Sequence, residues 1–321
     1  MSGGAGAADV VGASEAAIAQ GSKSFAAAAR LFAPRMREDA VMLYAWCRHC
    51  DDVVDGQVLG HRPGEAAAGD IPSGAASAAE RLDALYEETR RAYRGAPSAH
   101  PAFEAFAEVV RRNEIPEHYP LQLLEGFRMD VEDRRYETLD DTLTYCYHVA
   151  GVVGVMMALI MGARDEVVLD RASDLGLGFQ LTNISRDVME DAALGRIYLP
   201  ADFLAEAGVP EGEIAAPAHR AAVAGVVARL LDAAEPYYDQ AAIGMRALPF
   251  RAAAAVGAAR GVYRAIGVEV RRRGPRAWDG RVSTSRAQKV GFLAQGLALA
   301  LATRFAGAAP ARPVHLWTRP A

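Results

Sequence analysis

Gln180-Leu-Thr-Asn-Ile-Ser-Arg-Asp-Val-Met-Glu-Asp191 is the stretch around which the rest of the chain can be understood. Gln180, Asn183, Asp187 and Asp191 recur at spacings of three, four and four, which puts them on one stripe of a helix. Arg186 and Glu190 flank the stripe, and the preceding residues, Leu175 to Leu181, are largely apolar. The stripe is therefore expected to face an interior or a cavity. In a dry core it would strand donors and charges without partners. A water-filled, metal-bearing cavity removes that objection. The plainer alternative is the polar face of an ordinary amphipathic helix.

Outward from this helix the chain continues as helix after helix. Alanine is abundant, apolar residues recur every three or four positions, and alternating strand-like runs are nearly absent. Ser14 and Ser24 suit N-caps, and Pro34 suits the first turn of a helix running to Asp55. Further helices are predicted over 78–94, 101–113, 116–131, 139–161, 166–193, 216–247, 250–273 and 285–306. The Gly/Pro/Ala-rich segment 56–77 reads as a loop, and Gly195 to Pro200 breaks the pattern. No fixed-period repeat and no Gly/Ser linker divides the chain. The expected organisation is a lead-in over 1–13, one all-α domain over 14–306 and a non-helical tail over 307–321.

Composition narrows the function classes. With 321 residues and 51% apolar content, the chain can bury a sizeable core, which excludes a stapled miniprotein and a disordered chain. Thirty-five Lys and Arg against forty Asp and Glu give a net charge of −5, which argues against nucleic-acid binding through bulk charge. Cys47, Cys50 and Cys146 cannot pair completely, and the Cys47-x-x-Cys50 spacing has helical flanks and no second pair. Neither zinc nor a redox motif is expected, and a cytoplasmic location fits. Met1 to Ala8 lacks the basic and apolar regions of a signal peptide. The most apolar run, 149–163, falls short of the ~20 residues that span a bilayer. Peripheral membrane contact stays open, with Arg271-Arg-Arg273 as a short basic run that suits either solvent or anionic lipid.

A second acidic motif, Asp51-Asp-Val-Val-Asp55, ends the helix that begins at Pro34. Asp51 and Asp55 lie on one face, a turn apart. Two carboxylates at that spacing, about 6 Å, repel by roughly 3 kcal/mol at an effective dielectric of 20. A helix C-terminus disfavours negative charge as well. A hard divalent cation would offset both costs, and magnesium takes carboxylate, water and phosphate oxygens. Arg48 sits one turn earlier, able to pair with a carboxylate or hold a phosphate oxygen. Two such motifs facing each other across a bundle would form a magnesium–diphosphate clamp, with Arg48, Arg186, Arg196 and Lys23 as neutralising cations. An apolar, water-excluding cavity with aromatic faces would suit the carbocation left after ionisation.

The segments Gly21-Ser-Lys-Ser-Phe25, Arg48-His-Cys-Asp-Asp-Val-Val-Asp55, Tyr145-Cys-Tyr-His-Val-Ala-Gly151, Gln180 to Asp191 and Gly195-Arg-Ile-Tyr-Leu-Pro200 together resemble the squalene/phytoene synthase family. Their order and spacing agree over roughly 15–305, and Asp-Asp-Val-Val-Asp with the tail His315-Leu-Trp-Thr-Arg-Pro320 is most similar to its bacterial phytoene-forming members. The resemblance implies an all-α isoprenoid synthase bundle around a central cavity. It implies head-to-head condensation of two geranylgeranyl diphosphates through prephytoene diphosphate to phytoene, the first committed step of carotenoid synthesis. It implies magnesium, with manganese as a substitute, and no NADPH. Asp51, Asp55, Asp187 and Asp191 match the metal-binding positions. Ser22, Phe25, Arg48, Gln180, Asn183 and Arg196 match positions near the diphosphates. Tyr145 and Arg186 match catalytic positions, Tyr145 in proton removal or cation steering. Asp52 and Glu190 match less specifically, as residues behind the metal shell or in solvent. His49 is expected to be structural. Asp130 and Asp133 suit either a cavity mouth or a solvated helix end. Two alternatives stand beside it: a thirty-carbon sister enzyme acting on farnesyl diphosphate, which the same motifs serve, and a non-catalytic assembly factor, which loss of an acidic motif would favour. Other carotenoid-pathway enzymes are candidate partners.

Overall fold

The computed structural model describes residues 29–56, 77–98 and 100–320, and every structural statement below concerns these. Among them there is no strand. Ser14, Ser22, Lys23, Ser24 and Phe25, and nearly all of the 56–77 segment, lie outside the described residues. The chain divides into two compact units, Met1–Glu132 with Leu159–Gly162 and Asp133–Ala158 with Ala163–Ala321.

The first unit contains α1 (Pro34–Asp55), α2 (Ala78–Tyr93), α3 (Pro101–Asn113) and α4 (His118–Val131). Proline opens α1 and α3, where its missing N–H costs nothing. A reciprocal Ser77–Glu80 capping box opens α2. Helix α1 packs on α2, α3 and α4. Trp46 of α1 stacks on Phe106 of α3 with ring centroids 4.1 Å apart, and Leu43, Leu82, Leu123 and Leu124 fill the layer around them. Asp39, buried on α1, accepts from Arg112 Nη1 at 3.1 Å and Asn113 Nδ2 at 3.2 Å, which ties the ends of α1 and α3 together.

The second unit contains α5 (Leu139–Cys146), a single π-helical turn (Tyr147–Gly151), all but the last two residues of α6 (Val152–Ile160), and α7 (Glu166–Ala193). After these come α8 (Ala201–Glu206), α9 (Arg220–Gly244), α10 (Phe250–Arg273) and α11 (Arg286–Ala302). Helix α7 is the hub, packing on the π-turn, α5, α9 and α10. Glycines make the closest approach feasible. A Cβ on Gly176 would lie 2.4 Å from the carbonyl oxygen of Ala150, and one on Gly154 would lie 2.4 Å from that of Ala172. The predicted 139–161 helix is thus interrupted by a turn with one residue too many, at the point where it meets α7. Taken together, Leu139–Ile160 is long and apolar enough to cross a membrane by length and composition, which corrects the shorter apolar run read from sequence. With 61% of its most apolar window buried inside the fold, it serves as a core helix.

Other boundaries shift for local reasons. Pro217 starts a separate 3₁₀ turn, so α9 begins at Arg220 rather than at 216. The six-residue α8 is too short to leave a periodic signal. Helix α11 stops at Ala302. Residues 308–320 form no helix, and they strap along the second unit. Arg312 pairs with Asp174 at 2.7 Å, and Arg319 pairs with Asp170 at 2.8 Å and with Glu166. Arg171 donates to the carbonyl of Pro310 at 2.5 Å. The Trp317 ring lies 5.5 Å from that of Tyr147 in the π-turn.

Candidate active site

The first acidic motif occupies the last turn of α1. The turn ends at Gly56, whose φ of 64° is the left-handed conformation that favours glycine. Arg81 of α2 donates to the last carbonyls of α1, Nε to Val53 at 2.8 Å and Nη2 to Val54 at 2.9 Å. A guanidinium on the negative end of the dipole offsets part of the cost of the carboxylates there. Arg48 reaches both neighbouring acids, Nη1 to Asp51 at 3.2 Å and Nη2 to Asp52 at 2.6 Å. Asp52 is buried and held by Arg48, so it is not a solvated residue of the helix end. Burial pushes the Asp51 carboxyl up to about 6; Arg48 opposes the shift, and Asp55, Asp52 and Asp130 add to it. The half-buried Asp130 of α4 therefore belongs to the electrostatics of this cluster, whereas Asp133 is exposed. A crowded set of carboxylates is a donor set suited to an oxygen-seeking divalent cation.

The neighbours of this motif are structural. His49 stacks on His100 at 3.7 Å, and burial, reinforced by His100, lowers it to about 4. Burial pushes the Cys47 thiol up to about 12 and raises Cys50 as well, so neither is poised as a thiolate.

The second acidic motif runs down the C-terminal half of α7. Ile184, Ser185 and Val188 are buried, while Gln180, Asn183, Arg186, Asp187 and Asp191 are half-buried on the adjoining face. Asn183 Nδ2 donates to Gln180 Oε1 at 3.3 Å, so these two amides orient each other. Arg186 Nε donates to Asp187 Oδ1 at 2.8 Å. A Schellman turn ends the helix: Gly195 has φ 78°, and the Arg196 N–H donates to the Asp191 carbonyl at 2.9 Å. That turn folds Arg196 back beside the last aspartate of the motif.

Three residues absent from the sequence reading complete this surface. Arg281 binds Glu190 at 2.7 Å and approaches Asp187 at 3.4 Å. Glu190, exposed on the helix, is thereby given a partner. Trp278 Nε1 donates to the Ser185 carbonyl at 3.3 Å, which anchors the loop that carries Arg281. Tyr263 of α10 stacks on Phe179 at 4.0 Å; burial raises its hydroxyl, Arg186 opposes the shift and Asp187 adds to it. None of the three belongs to a spacing pattern with α7, which is why periodicity does not find them.

Tyr145, on α5, is buried in an aromatic cluster. Its ring stacks on Tyr198 at 4.7 Å and lies 5.3 Å from Tyr136. Thr142 Oγ1 donates to the Tyr198 carbonyl at 3.0 Å, and the Ala201 N–H donates to the Tyr136 carbonyl at 2.9 Å, so Tyr198 and Tyr136 are fixed through their backbones. Among the described residues, no three His, Cys, Asp or Glu side chains gather as a ready-made metal cage. Each acidic motif instead offers few carboxylates, which is how magnesium is held when water and phosphate supply the rest of its shell.

An all-α fold with two arginine-laced acidic motifs at helix ends is that of the isoprenoid synthases, and solved structures bear this out. A dehydrosqualene synthase matches with a TM-score of 0.79 at 26% identity, covering 92% of this chain and 98% of that one. A squalene synthase from Alicyclobacillus acidocaldarius matches at 0.72 and 26% identity, covering 84% and 95%. The chain belongs to the squalene/phytoene synthase family, whose profile matches residues 18–288. Curated relatives include a 15-cis-phytoene synthase of Paracoccus sp., 51% identical over 97% of this chain and 98% of its own length. Another 15-cis-phytoene synthase, of Pantoea ananas, is 50% identical over 94% and 96%.

Proposed function

We infer that this chain is a prenyltransferase that condenses two geranylgeranyl diphosphates head to head, through prephytoene diphosphate, to phytoene in carotenoid biosynthesis. The observation that carries the inference is identity near one half with 15-cis-phytoene synthases along nearly the whole of both chains. In this reading Asp51, Asp55, Asp187 and Asp191 hold magnesium. When bound, the metal neutralises the diphosphate and makes it a competent leaving group. Arg48, Arg186 and Arg196 bind phosphate oxygens, Gln180 and Asn183 orient them, and Ser22 and Phe25 belong to the same set. Arg48 and Arg186 each engage a carboxylate of their own motif and exchange that partner for phosphate. The Tyr136–Tyr145–Tyr198 cluster supplies aromatic faces to a carbocation and excludes water from it. Tyr145 steers the cation, and a neutral phenol is a weaker base than the departing diphosphate. The reaction consumes no reductant. The reading places the enzyme in the cytoplasm, in peripheral contact with membrane.

The test is a paired incubation with magnesium, one with geranylgeranyl diphosphate and one with farnesyl diphosphate. A forty-carbon hydrocarbon with a triene chromophore from the first alone is expected. A thirty-carbon product alone would reassign the substrate to the shorter diphosphate. Chelation should abolish the product and added magnesium should restore it. Asp51→Asn and Asp187→Asn should each reduce turnover by more than about a hundredfold with helicity retained. Full activity in either variant would remove that aspartate from the site.

A further inference from the structure

We propose that the solvent face of α11 is a docking surface for an anionic lipid bilayer. Helix α11 turns one side to α10, where Gly296 and Ala300 are buried and a Cβ on Gly296 would meet the Ala254 carbonyl at 2.5 Å. Among the described residues its opposite side is apolar and exposed. Val290 is 67% exposed, Leu297 40% and Leu301 54%, and Phe305, just past the helix end, is 82% exposed. With Ala294 between them these residues follow spacings of four, three, four and four, which keeps them on one stripe. Arg304 Nη2 donates to the Leu248 carbonyl at 2.7 Å, so the half-exposed Phe250 at the start of α10 adjoins the far end of the stripe.

Charge selects the occupant. From Gly280 to Ala321 the sequence contains six Arg and Lys and no Asp or Glu, in a chain whose net charge is −5. Arg281, Arg312 and Arg319 are engaged by carboxylates of α7. Arg286, Lys289 and Arg304, at the two ends of α11, pair with no carboxylate among the described residues. A row of large apolar side chains bounded by uncompensated cations matches acyl chains beneath anionic headgroups. Two copies of the chain meeting on this face would bring these cations together with no acid on the helix to offset them. The basic triplet singled out in the sequence does not compete as a lipid contact: Arg271 pairs with Asp232, and Arg272 and Arg273 both pair with Glu269.

The experiment is co-sedimentation of the full chain with vesicles of phosphatidylcholine, with and without phosphatidylglycerol. Binding to the anionic vesicles alone, weakened by salt, is expected. Arg286→Glu with Lys289→Glu should cost at least about fivefold in affinity per residue changed. Leu297→Glu with Leu301→Glu should cost at least about tenfold while circular dichroism stays unchanged. Should that pair fail to fold, Leu297→Trp carries the test, because its fluorescence should be quenched by brominated anionic lipid. Three results would overturn the proposal: no binding to anionic vesicles, equal binding by wild type and both double variants, or a lipid-free dimer that the Leu297→Glu/Leu301→Glu pair dissociates. The readout is lipid binding and not product, so its failure leaves the catalytic inference standing, and the reverse also holds.

Discussion

Asp174 is fully buried, and burial pushes its carboxyl up to about 6 even though Arg312 pulls it down. A carboxyl whose folded value lies above its unfolded one favours the folded chain when protonated. That contribution is present below about pH 4 and is lost as the pH rises towards 6. Without Arg312 the folded value rises further and the loss extends to higher pH. Arg312→Gln should therefore melt below wild type by a margin that widens from pH 5 to pH 8, reaching about 3–5 kcal/mol. Adding Asp174→Asn should recover much of it. Thermal melts across that pH range measure both. At this scale the sequence was legible where spacing carried the information. Asp51 with Asp55 and Asp187 with Asp191 share single helices, as their i,i+4 spacing predicts. Arg81, Arg281 and Tyr263 follow no such spacing, because each reaches its motif from another element, and one sequence contains no record of such pairings.

Among the helices, the crossing of α7 with the π-turn depends on missing side chains. Gly176→Ala would set a methyl 2.6 Å from the Gly151 Cα as well as against the Ala150 carbonyl, both backbone atoms that cannot swing aside. A loss of about 1–3 kcal/mol is expected in urea unfolding. Gly225→Ala on the exposed side of α9 meets nothing within 4 Å and should gain up to about 1 kcal/mol from helix propensity. A null or inverted difference between the two variants would contradict this packing. The helices themselves were nearly all legible, because Pro34, Pro101, Ser77 and Ser285 are start signals with local chemistry behind them. The π-turn was not. It lies where Ala150 and Gly151 meet Gly176, 25 positions beyond Gly151, a crossing that no local window contains.

For the molecule as a whole, the C-terminal strap is a structural part of the second unit. Removing residues from 307 onward would strip Arg312 and Arg319 from α7 and leave Asp174 buried without its main cation. A fall in melting temperature of about 10 °C or more is expected by scanning calorimetry. Composition marked this segment only as proline-containing and non-helical, since tertiary pairing leaves no trace in a local window.

The same pairing sets an order of events during synthesis. Arg312 lies 138 residues downstream of Asp174. At ribosomal speeds of about 5–20 residues per second, roughly 7–28 s separate the appearance of the acid from that of its partner. Throughout that interval the helix bearing the second acidic motif can form, but Asp174 lacks the guanidinium that binds it in the finished fold. Locking α7 into the second unit is thus a late step in the life of the nascent chain, and a pause in translation ahead of Arg312 would prolong the exposure of the apolar surfaces that α7 covers.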